Sequence, residues 1–333
     1  MKPSDISSVQ KPFCLLLLLG FCLILVGLAC SAGTPAETRA PEIFPGTDLV
    51  FTSSKGIGFV NADGSDRSSL SMTTKMPYGM ENQIWRPVIT GDDRALIVKI
   101  GDKFEHVYAL KELVLWKAGE LPVPCLQWQA QQMAYLSANQ QQIFIQTKQG
   151  TARYNLSSCG TNDAPIETYD GILGIPSPDL QYIASVDELD DPRHNRAVVV
   201  RDMESGETQV VGEGNYPAWS RDSQWLAYTG PDGIYAFNVE TDIQPRRVIF
   251  YPNLFDEQYP TYFGAAPWRI PPEVSWSPDG KWLVYHKWVG TDYNTGIDPS
   301  SNTIYKLDIE TGEETEIIDH GMYPSWRWPV EEP

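Results

Sequence analysis

The sequence predicts an all-β domain made of repeated units, and three observations support this. From Phe44 onward, short runs of β-branched and aromatic residues recur between Gly, Asp, Asn and Pro, without the 3.6-residue apolar period of long helices. A tryptophan followed by a tight turn and an alternating apolar run occurs twice, as "VSWSPDGKWLVYHK" (274–287) and "PAWSRDSQWLAYTG" (217–230). The units span about 40 to 55 residues, a period that indicates four-stranded blades of a β-propeller.

The repeated motif is explained by the construction of a blade. A large residue on the innermost strand can wedge between adjacent sheets, where an aromatic side chain buries about 150–250 Å². The Ser-Pro-Asp-Gly turn follows, because Pro fixes φ, Asp bonds the downstream backbone and Gly tolerates a positive φ. The motif therefore predicts structure and carries no catalytic chemistry.

The number of units is counted from the predicted opening strands. Trp219 and Trp276 each open one, and further opening strands are predicted around Trp85 and Ile89, at Ile175 and, in a degenerate form, at Trp128. The first unit starts at its second strand, whereas the final "GMYPSWRWP" is an opening strand with nothing after it. We expect the C-terminal strand to join the N-terminal blade and close a ring of six blades; seven blades are the alternative.

The N-terminus has the layout of an export signal. Lys2 and Lys11 precede an apolar run from Phe13 to Ala29, so residues 1–29 are predicted to be a signal peptide, with a retained membrane anchor as the alternative. The end of the run, "VGLAC", resembles the lipobox of bacterial lipoproteins, which implies lipidation of Cys30. Residues 30–46 are rich in Pro, Ala and small polar residues and are expected to be a flexible tether before the propeller at 47–333.

The composition limits the partners. The chain has 333 residues and a formal charge of −18, so it repels phosphate backbones, and we expect no nucleic-acid partner and no membrane contact beyond the anchor. Export would allow Cys125 and Cys159 to form a disulfide, but their spacing alone does not decide whether they pair. We expect a monomer at the cell envelope, outside the cytoplasm.

The repeat resembles a known family. "WSPDGKWLVY" together with "NTIYKLDIETGE" is similar to the WD40-like PD40 repeat of TolB-type β-propellers of the bacterial envelope. The similarity is strong over 217–312, clear at 175–207 and 48–66, and weak from 97 to 170. The resemblance implies the family's scaffold, and we do not expect the chain to be TolB itself.

The sequence contains no strong catalytic or metal-binding pattern. No Gly-x-Ser-x-Gly elbow is present, and the four histidines form no His-x-x-x-His pair. The acidic stretch 187–195 is interpreted as a solvated loop, because it lacks the ligand spacing of a Ca²⁺ site. We therefore predict no metal and no cofactor. A carbohydrate-active enzyme with two carboxylates in the central pocket is the leading enzymatic alternative.

Binding by three long loops is the favoured function. Loops 187–196, 251–272 and 288–302 are longer than the repeat requires and emerge on one face of a propeller. Aromatic and acidic side chains in them predict a docking patch for a protein, peptide or glycan. Its predicted residues are Tyr259, Tyr262, Phe263, Trp268, Trp288, Asp292, Tyr293, Asp190 and Asp191. We therefore predict a non-enzymatic binding module.

Overall fold

Strands form all of the regular structure that is described in this computed structural model. It describes residues 47–54, 56–71, 84–91, 95–100, 104–109, 125–129, 135–137, 140–146, 150–156, 165–170, 174–188, 196–250, 273–288 and 302–329. These lie in one compact unit, Glu42–Pro333; the other unit, Met1–Pro41, contains the predicted signal peptide, Cys30 and most of the tether, and lies outside the described residues. Within the described part of the chain, no helix is long and apolar enough to span a bilayer.

The strands are short, and most begin or end at a tight turn. The first twelve are β1 (Leu49–Ser53), β2 (Gly56–Val60), β3 (Ser68–Ser71), β4 (Ile84–Ile89), β5 (Ala95–Ile100), β6 (Phe104–Ala109), β7 (Leu126–Gln129), β8 (Tyr135–Leu136), β9 (Gln142–Gln146), β10 (Gly150–Asn155), β11 (Glu167–Asp170) and β12 (Ile175–Pro176). The others are β13 (Tyr182–Glu188), β14 (Arg196–Asp202), β15 (Thr208–Glu213), β16 (Asn215–Trp219), β17 (Trp225–Gly230), β18 (Gly233–Asn238), β19 (Arg246–Phe250), β20 (Ser275–Trp276), β21 (Trp282–Trp288), β22 (Asn302–Asp308), β23 (Glu314–Asp319) and β24 (Gly321–Trp326).

Among the described residues these strands form six four-stranded antiparallel sheets. We number the sheets in chain order: sheet 1 is β24-β1-β2-β3, and sheets 2 to 6 are β4–β7, β8–β11, β12–β15, β16–β19 and β20–β23. In each sheet the first strand given is the innermost. The all-β propeller class predicted from the repeat is confirmed.

A serine or threonine turn connects the first two strands in five of the sheets. Its backbone N–H donates to the carbonyl five residues later, and its hydroxyl accepts from the N–H of that same residue, as in Ser277 with Trp282 at 2.8 and 2.9 Å. The turn residues are Thr90, Ser137, Ser177, Ser220 and Ser277. This clamp recurs even where Pro and Gly are missing, so it marks the inner hairpin more reliably than the full motif.

Sheet 1 is assembled from both ends of the described chain. β24 pairs antiparallel with β1, with Leu49 opposite Trp326 and Ser53 opposite Gly321. Arg327 extends the pairing, since its backbone N–H donates to the Asp48 carbonyl at 2.8 Å. The pairing of the two ends is the one that the sequence predicted.

Apolar clusters join neighbouring sheets. Phe51 of sheet 1 packs with Val284 and Ile304 of sheet 6, and Ile97 of sheet 2 packs with Ile143 of sheet 3. Indole groups add hydrogen bonds between sheets: Trp219 Nε1 donates to the Ile175 carbonyl and Trp276 Nε1 to the Ala218 carbonyl, both at 2.9 Å. The wedge role predicted for the motif tryptophans is therefore observed.

One predicted opening strand is wrong. Trp128 lies in β7, the outermost strand of sheet 2, whereas sheet 3 opens at β8 with Tyr135. Trp128 alone does not identify an opening strand, because an outer strand can also carry a large aromatic residue. The serine clamp at Ser137 identifies the correct strand.

Candidate functional site

The site lies where the innermost strands meet. One cavity of about 160 Å³ is lined by residues of β4, β8, β12, β16, β20 and β24, the innermost strand of every sheet. Its walls are mainly apolar, with Trp219, Trp276, Trp326 and Trp328 among them. An apolar cavity of about 150 Å³ accommodates a benzene-sized molecule, so this space is large enough for one ring or side chain.

Four residues occupy equivalent positions in, or just before, four of these strands. Each lies three residues before the wedge position, which is Ile89, Trp219, Trp276 or Trp326. The four are Arg86, Tyr216, Glu273 and Tyr323, and all of them line the cavity. The repeat thus brings together residues that are far apart in sequence.

Three of the four have a left-handed backbone followed by proline. Arg86, Tyr216 and Tyr323 have φ values of 53°, 54° and 49°, and each precedes a Pro. The strand register shifts at each of these dipeptides, as expected for β-bulges, which bend a strand and redirect a side chain. Positive φ in bulky residues stores backbone strain and clusters at functional sites. The bulges therefore indicate a site that the fold constrains.

Arg86 and Glu273 form an ion pair in this cluster. Their side chains are 19% and 9% exposed, so the pair is largely removed from water. The Arg86 guanidinium also lies 5.3 Å from the ring centre of Tyr323 and 5.9 Å from that of Tyr216. The two tyrosine faces stabilise the cation beyond its bond to Glu273.

The electrostatic environment fixes the charge of each group. Burial would lower the pKa of Arg86, but the Glu273 carboxylate raises it above its ordinary value. Burial, aided by Glu273, raises the pKa of Tyr323 and of Tyr216, so both phenols stay protonated. Burial, with Arg86 nearby, lowers the pKa of His286 to about 3. His286 is therefore neutral, and its Nδ1 accepts the Tyr323 backbone N–H at 3.3 Å.

This arrangement favours binding over acid–base chemistry. Among the described residues that line the cavity, Glu273 is the one carboxylate, and it is paired with Arg86. Glycoside hydrolysis needs two carboxyl groups about 5–10 Å apart, one of them protonated as the acid. The described lining does not supply that pair. The described residues also contain no group of three or more metal-ligating side chains.

Most residues of the predicted patch lie outside the described part of the chain. This applies to Tyr259, Tyr262, Phe263, Trp268, Asp292, Tyr293, Asp190 and Asp191; Trp288 ends β21, but its side chain is also outside. Cys125 is disulfide-bonded, and Cys159 lies outside the described residues. The patch remains a prediction.

The Arg86 cluster was not predicted from the sequence. One pattern pointed to it: the dipeptides Arg86-Pro, Tyr216-Pro and Tyr323-Pro stand at one distance from the wedge position in three units. The "YPSW" of 323–326 also matches the "YPAW" of 216–219, and this match marks the same position.

Comparison with known proteins supports the fold. No family model matches the sequence, and no curated protein matches it. Among solved structures, the chain is similar to the crystal structure of TolB from Acinetobacter baumannii, with a TM-score of 0.55 and 11% sequence identity. The match covers 84% of this chain. The fold is that of a TolB-type β-propeller.

The resemblance stated from the PD40-like repeat is thereby confirmed for the fold. The matched region spans 66% of the TolB chain, just under two thirds of its length, and the identity is low. The likeness establishes the scaffold and leaves role and partner to be argued from this chain's own residues.

Proposed function

We propose that the chain is a non-enzymatic, extracytoplasmic binding module at the cell envelope, which engages a protein, peptide or glycan through one propeller face. The observation that carries this proposal is the ion pair between Arg86 and Glu273 in the central cavity. Because Glu273 is paired with Arg86, the described residues that line the cavity provide no free pair of acid and base groups. TolB-like propellers share the scaffold, and an extracytoplasmic site agrees with the export signal predicted at 1–29.

The docking face is the one that carries loops 187–196, 251–272 and 288–302. Glu273, the residue that follows loop 251–272 in sequence, belongs to the central cluster. Its aromatic residues are of the type that most often dominates interfaces. The chain's charge of −18 favours cationic or neutral partners over anionic ones.

The test uses affinity for a partner captured from solubilised envelopes and then purified. Replacing Tyr259, Tyr262 and Trp268 together with Ala should weaken binding by more than about 2 kcal/mol, roughly thirty-fold. The matched control replaces the exposed apolar residues Val210 and Phe250 of outer strands with Ala, and should bind like the parent. Unchanged affinity in the triple variant, with its thermal unfolding preserved, would place the partner on another surface.

Contacts between successive sheets support the further proposal that the six sheets are the blades of one closed ring. Successive sheets contact each other by side chains or hydrogen bonds: sheet 3 reaches sheet 4 through Thr151 Oγ1 and the Gly174 carbonyl, and sheet 6 reaches sheet 1 through Ser275 Oγ and the Trp326 N–H. β1 and β24 of sheet 1 both contact β4 of sheet 2. A closed ring leaves no inner sheet edge exposed, as a soluble binding module requires.

Two further parts of the proposal concern cysteines. Lipidation of Cys30 would tether the propeller, and Cys30→Ser should abolish acyl labelling; retained labelling would refute it. Cys159 is the proposed partner of the disulfide-bonded Cys125. A non-reduced digest analysed by mass spectrometry should contain the linked Cys125 and Cys159 peptides, and a different partner would contradict the pairing.

A further inference from the structure

The segment 327–329 follows β24 and is held by its own sheet through Arg327 and by three other sheets through Trp328 and Pro329. Trp328 Nε1 donates to the Trp276 carbonyl of sheet 6 at 3.0 Å. Gln140 Nε2, from the inner turn of sheet 3, donates to the Trp328 carbonyl at 2.5 Å. Arg221 Nη2, from the inner turn of sheet 5, donates to the Pro329 carbonyl at 3.0 Å.

These contacts carry the segment across the mouth of the central cavity. Sheet 1 packs beside sheets 6 and 2, whereas Gln140 and Arg221 belong to sheets 3 and 5, which lie further around. The Gln140 and Arg221 side chains therefore meet the segment from two sheets that are not adjacent to its own. Gln140 and Trp328 accordingly line the cavity.

Gln140 occupies a left-handed turn position that Leu180, Ser223 and Gly280 hold in other sheets. It is the fourth residue of the serine turn, with a φ of 56°, and Gly280 stands at the equivalent position with a φ of 70°. A Cβ at Gly280 would have no other atom within 4 Å, so a larger residue at this position would gain no packing from its Cβ. A left-handed glutamine costs free energy that glycine avoids. Gln140 is nevertheless 6% exposed, and its Oε1 accepts the Gly91 N–H while its Nε2 holds Trp328.

The contacts made by segment 327–329 are those of a bound peptide. Its backbone carbonyls accept hydrogen bonds from two side chains, and its indole lies in the cavity wall with the N–H bonded to a backbone carbonyl. The partners stand on turns at the ends of the innermost strands, so the scaffold preorganises them. Pro329 disfavours a helical backbone at the preceding Trp328, which favours an extended segment.

We propose that this seat, formed by Gln140, Arg221 and the Trp276 carbonyl, is a peptide-binding site for an extended segment with an indole followed by proline. Segment 327–329 is its intramolecular occupant, and a partner segment of the same Trp-Pro chemistry binds by displacing it. This inference deepens the proposed binding function and rests on it. The seat lies at the turn end of the innermost strands and shares no residue with the predicted loop patch, so the two sites are tested by separate variants.

The experiment uses a fluorescently labelled peptide with the sequence of residues 327–332, "RWPVEE", and measures its anisotropy. The full chain carrying Trp328→Ala and Pro329→Gly should bind it at least ten-fold more tightly than the parent, because the attached segment no longer competes. A peptide with Ala in place of Trp should not bind. Adding Gln140→Gly to this variant should weaken binding at least ten-fold, whereas adding Leu180→Gly, a left-handed residue at the same turn position in sheet 4, should not.

Equal binding to the variant and the parent, or no binding by a folded variant, would overturn the proposal. If the double variant does not fold, Gln140→Gly alone decides. It should speed hydrogen exchange of the Trp328 indole N–H, which is bonded to the Trp276 carbonyl, at least ten-fold, and Leu180→Gly should not. Unchanged exchange in Gln140→Gly would show that the segment is a fixed part of the fold. Unchanged partner affinity in the Tyr259, Tyr262 and Trp268 triple variant, together with peptide binding at the seat, would refute only the loop face.

Discussion

Arg86 and Glu273 form a largely buried ion pair, and the Arg86 guanidinium also lies against the rings of Tyr216 and Tyr323. Removal of one partner from a buried pair leaves the other charge without compensation, which is more costly than the net stabilisation that the pair provides. Substitutions at this pair therefore test the central cluster, which consists of Arg86, Tyr216, Glu273 and Tyr323.

Arg86→Met should lower the free energy of unfolding by about 3–5 kcal/mol, because Glu273 then remains buried and unpaired. The double variant Arg86→Met/Glu273→Leu should recover much of that loss. Urea unfolding of the singles and the double gives the coupling energy. Arg67 and Asp319 provide the control, since their side chains are 51% and 57% exposed and Arg67→Met should cost at most about 1 kcal/mol. Equal losses at both pairs would mean that water reaches Glu273.

His286 should make the fold sensitive to acid. Its pKa is lowered from 6.5 to about 3 by burial, with Arg86 as the second cause. Below about pH 6.5 the unfolded chain takes up a proton at His286, and the folded chain does not do so until about pH 3. The contribution to stability is complete above pH 6.5 and declines as pH falls towards 3, by up to about 1.4 kcal/mol per pH unit.

The measurement is the free energy of unfolding between pH 7 and 4. His286→Gln retains a hydrogen-bond acceptor for the Tyr323 N–H but does not titrate, so its pH slope should be shallower than that of the parent. An identical slope in His286→Gln would show that other groups cause the acid sensitivity.

The sequence predicted the scaffold better than the site. The Ser-Pro-Asp-Gly turn fixes a hairpin locally, so the strands around Ser277 and Ser220 follow from a few adjacent residues. The Trp128 error has the same origin: a single aromatic residue does not distinguish an inner strand from an outer one, whereas the hydroxyl clamp of Ser137 does.

The central cluster depends on how separate units are arranged around the cavity. Arg86 in β4 and Glu273 just before β20 belong to sheets 2 and 6, and only the placement of both innermost strands around one cavity pairs them. Gln140 likewise acts across the fold, because its side chain donates to the carbonyl of Trp328, which is far away in sequence. Such pairings are set by tertiary geometry, which local patterns do not encode.

The sheet shared by the two ends should be essential for folding. Deleting Gly321–Pro333 removes β24 and exposes the edge of β1, together with apolar surface that Met322 and Trp326 now cover. Loss of one large buried side chain costs about 3–5 kcal/mol, against a total stability of about 5–15 kcal/mol for a domain. We expect the shortened chain to aggregate in size-exclusion chromatography. Deleting only residues 330–333 should preserve the parent elution and thermal unfolding, and a soluble, stable Gly321–Pro333 deletion would contradict the role of β24.

The indole hydrogen bonds between sheets can be separated from the packing of the rings by one matched pair of variants. Trp276 is 1% exposed and its Nε1 donates to the Ala218 carbonyl at 2.9 Å, whereas Trp326 is 8% exposed and its buried Nε1 has no hydrogen-bond partner among the described residues. Both changes to Phe reduce packing, but only Trp276→Phe also leaves a carbonyl without its donor, so it should cost about 1 kcal/mol more than Trp326→Phe. Trp219→Phe, which removes the bond to the Ile175 carbonyl, should behave like Trp276→Phe. Chemical unfolding of the three variants gives the comparison, and equal losses at Trp276 and Trp326 would show that packing alone joins the sheets.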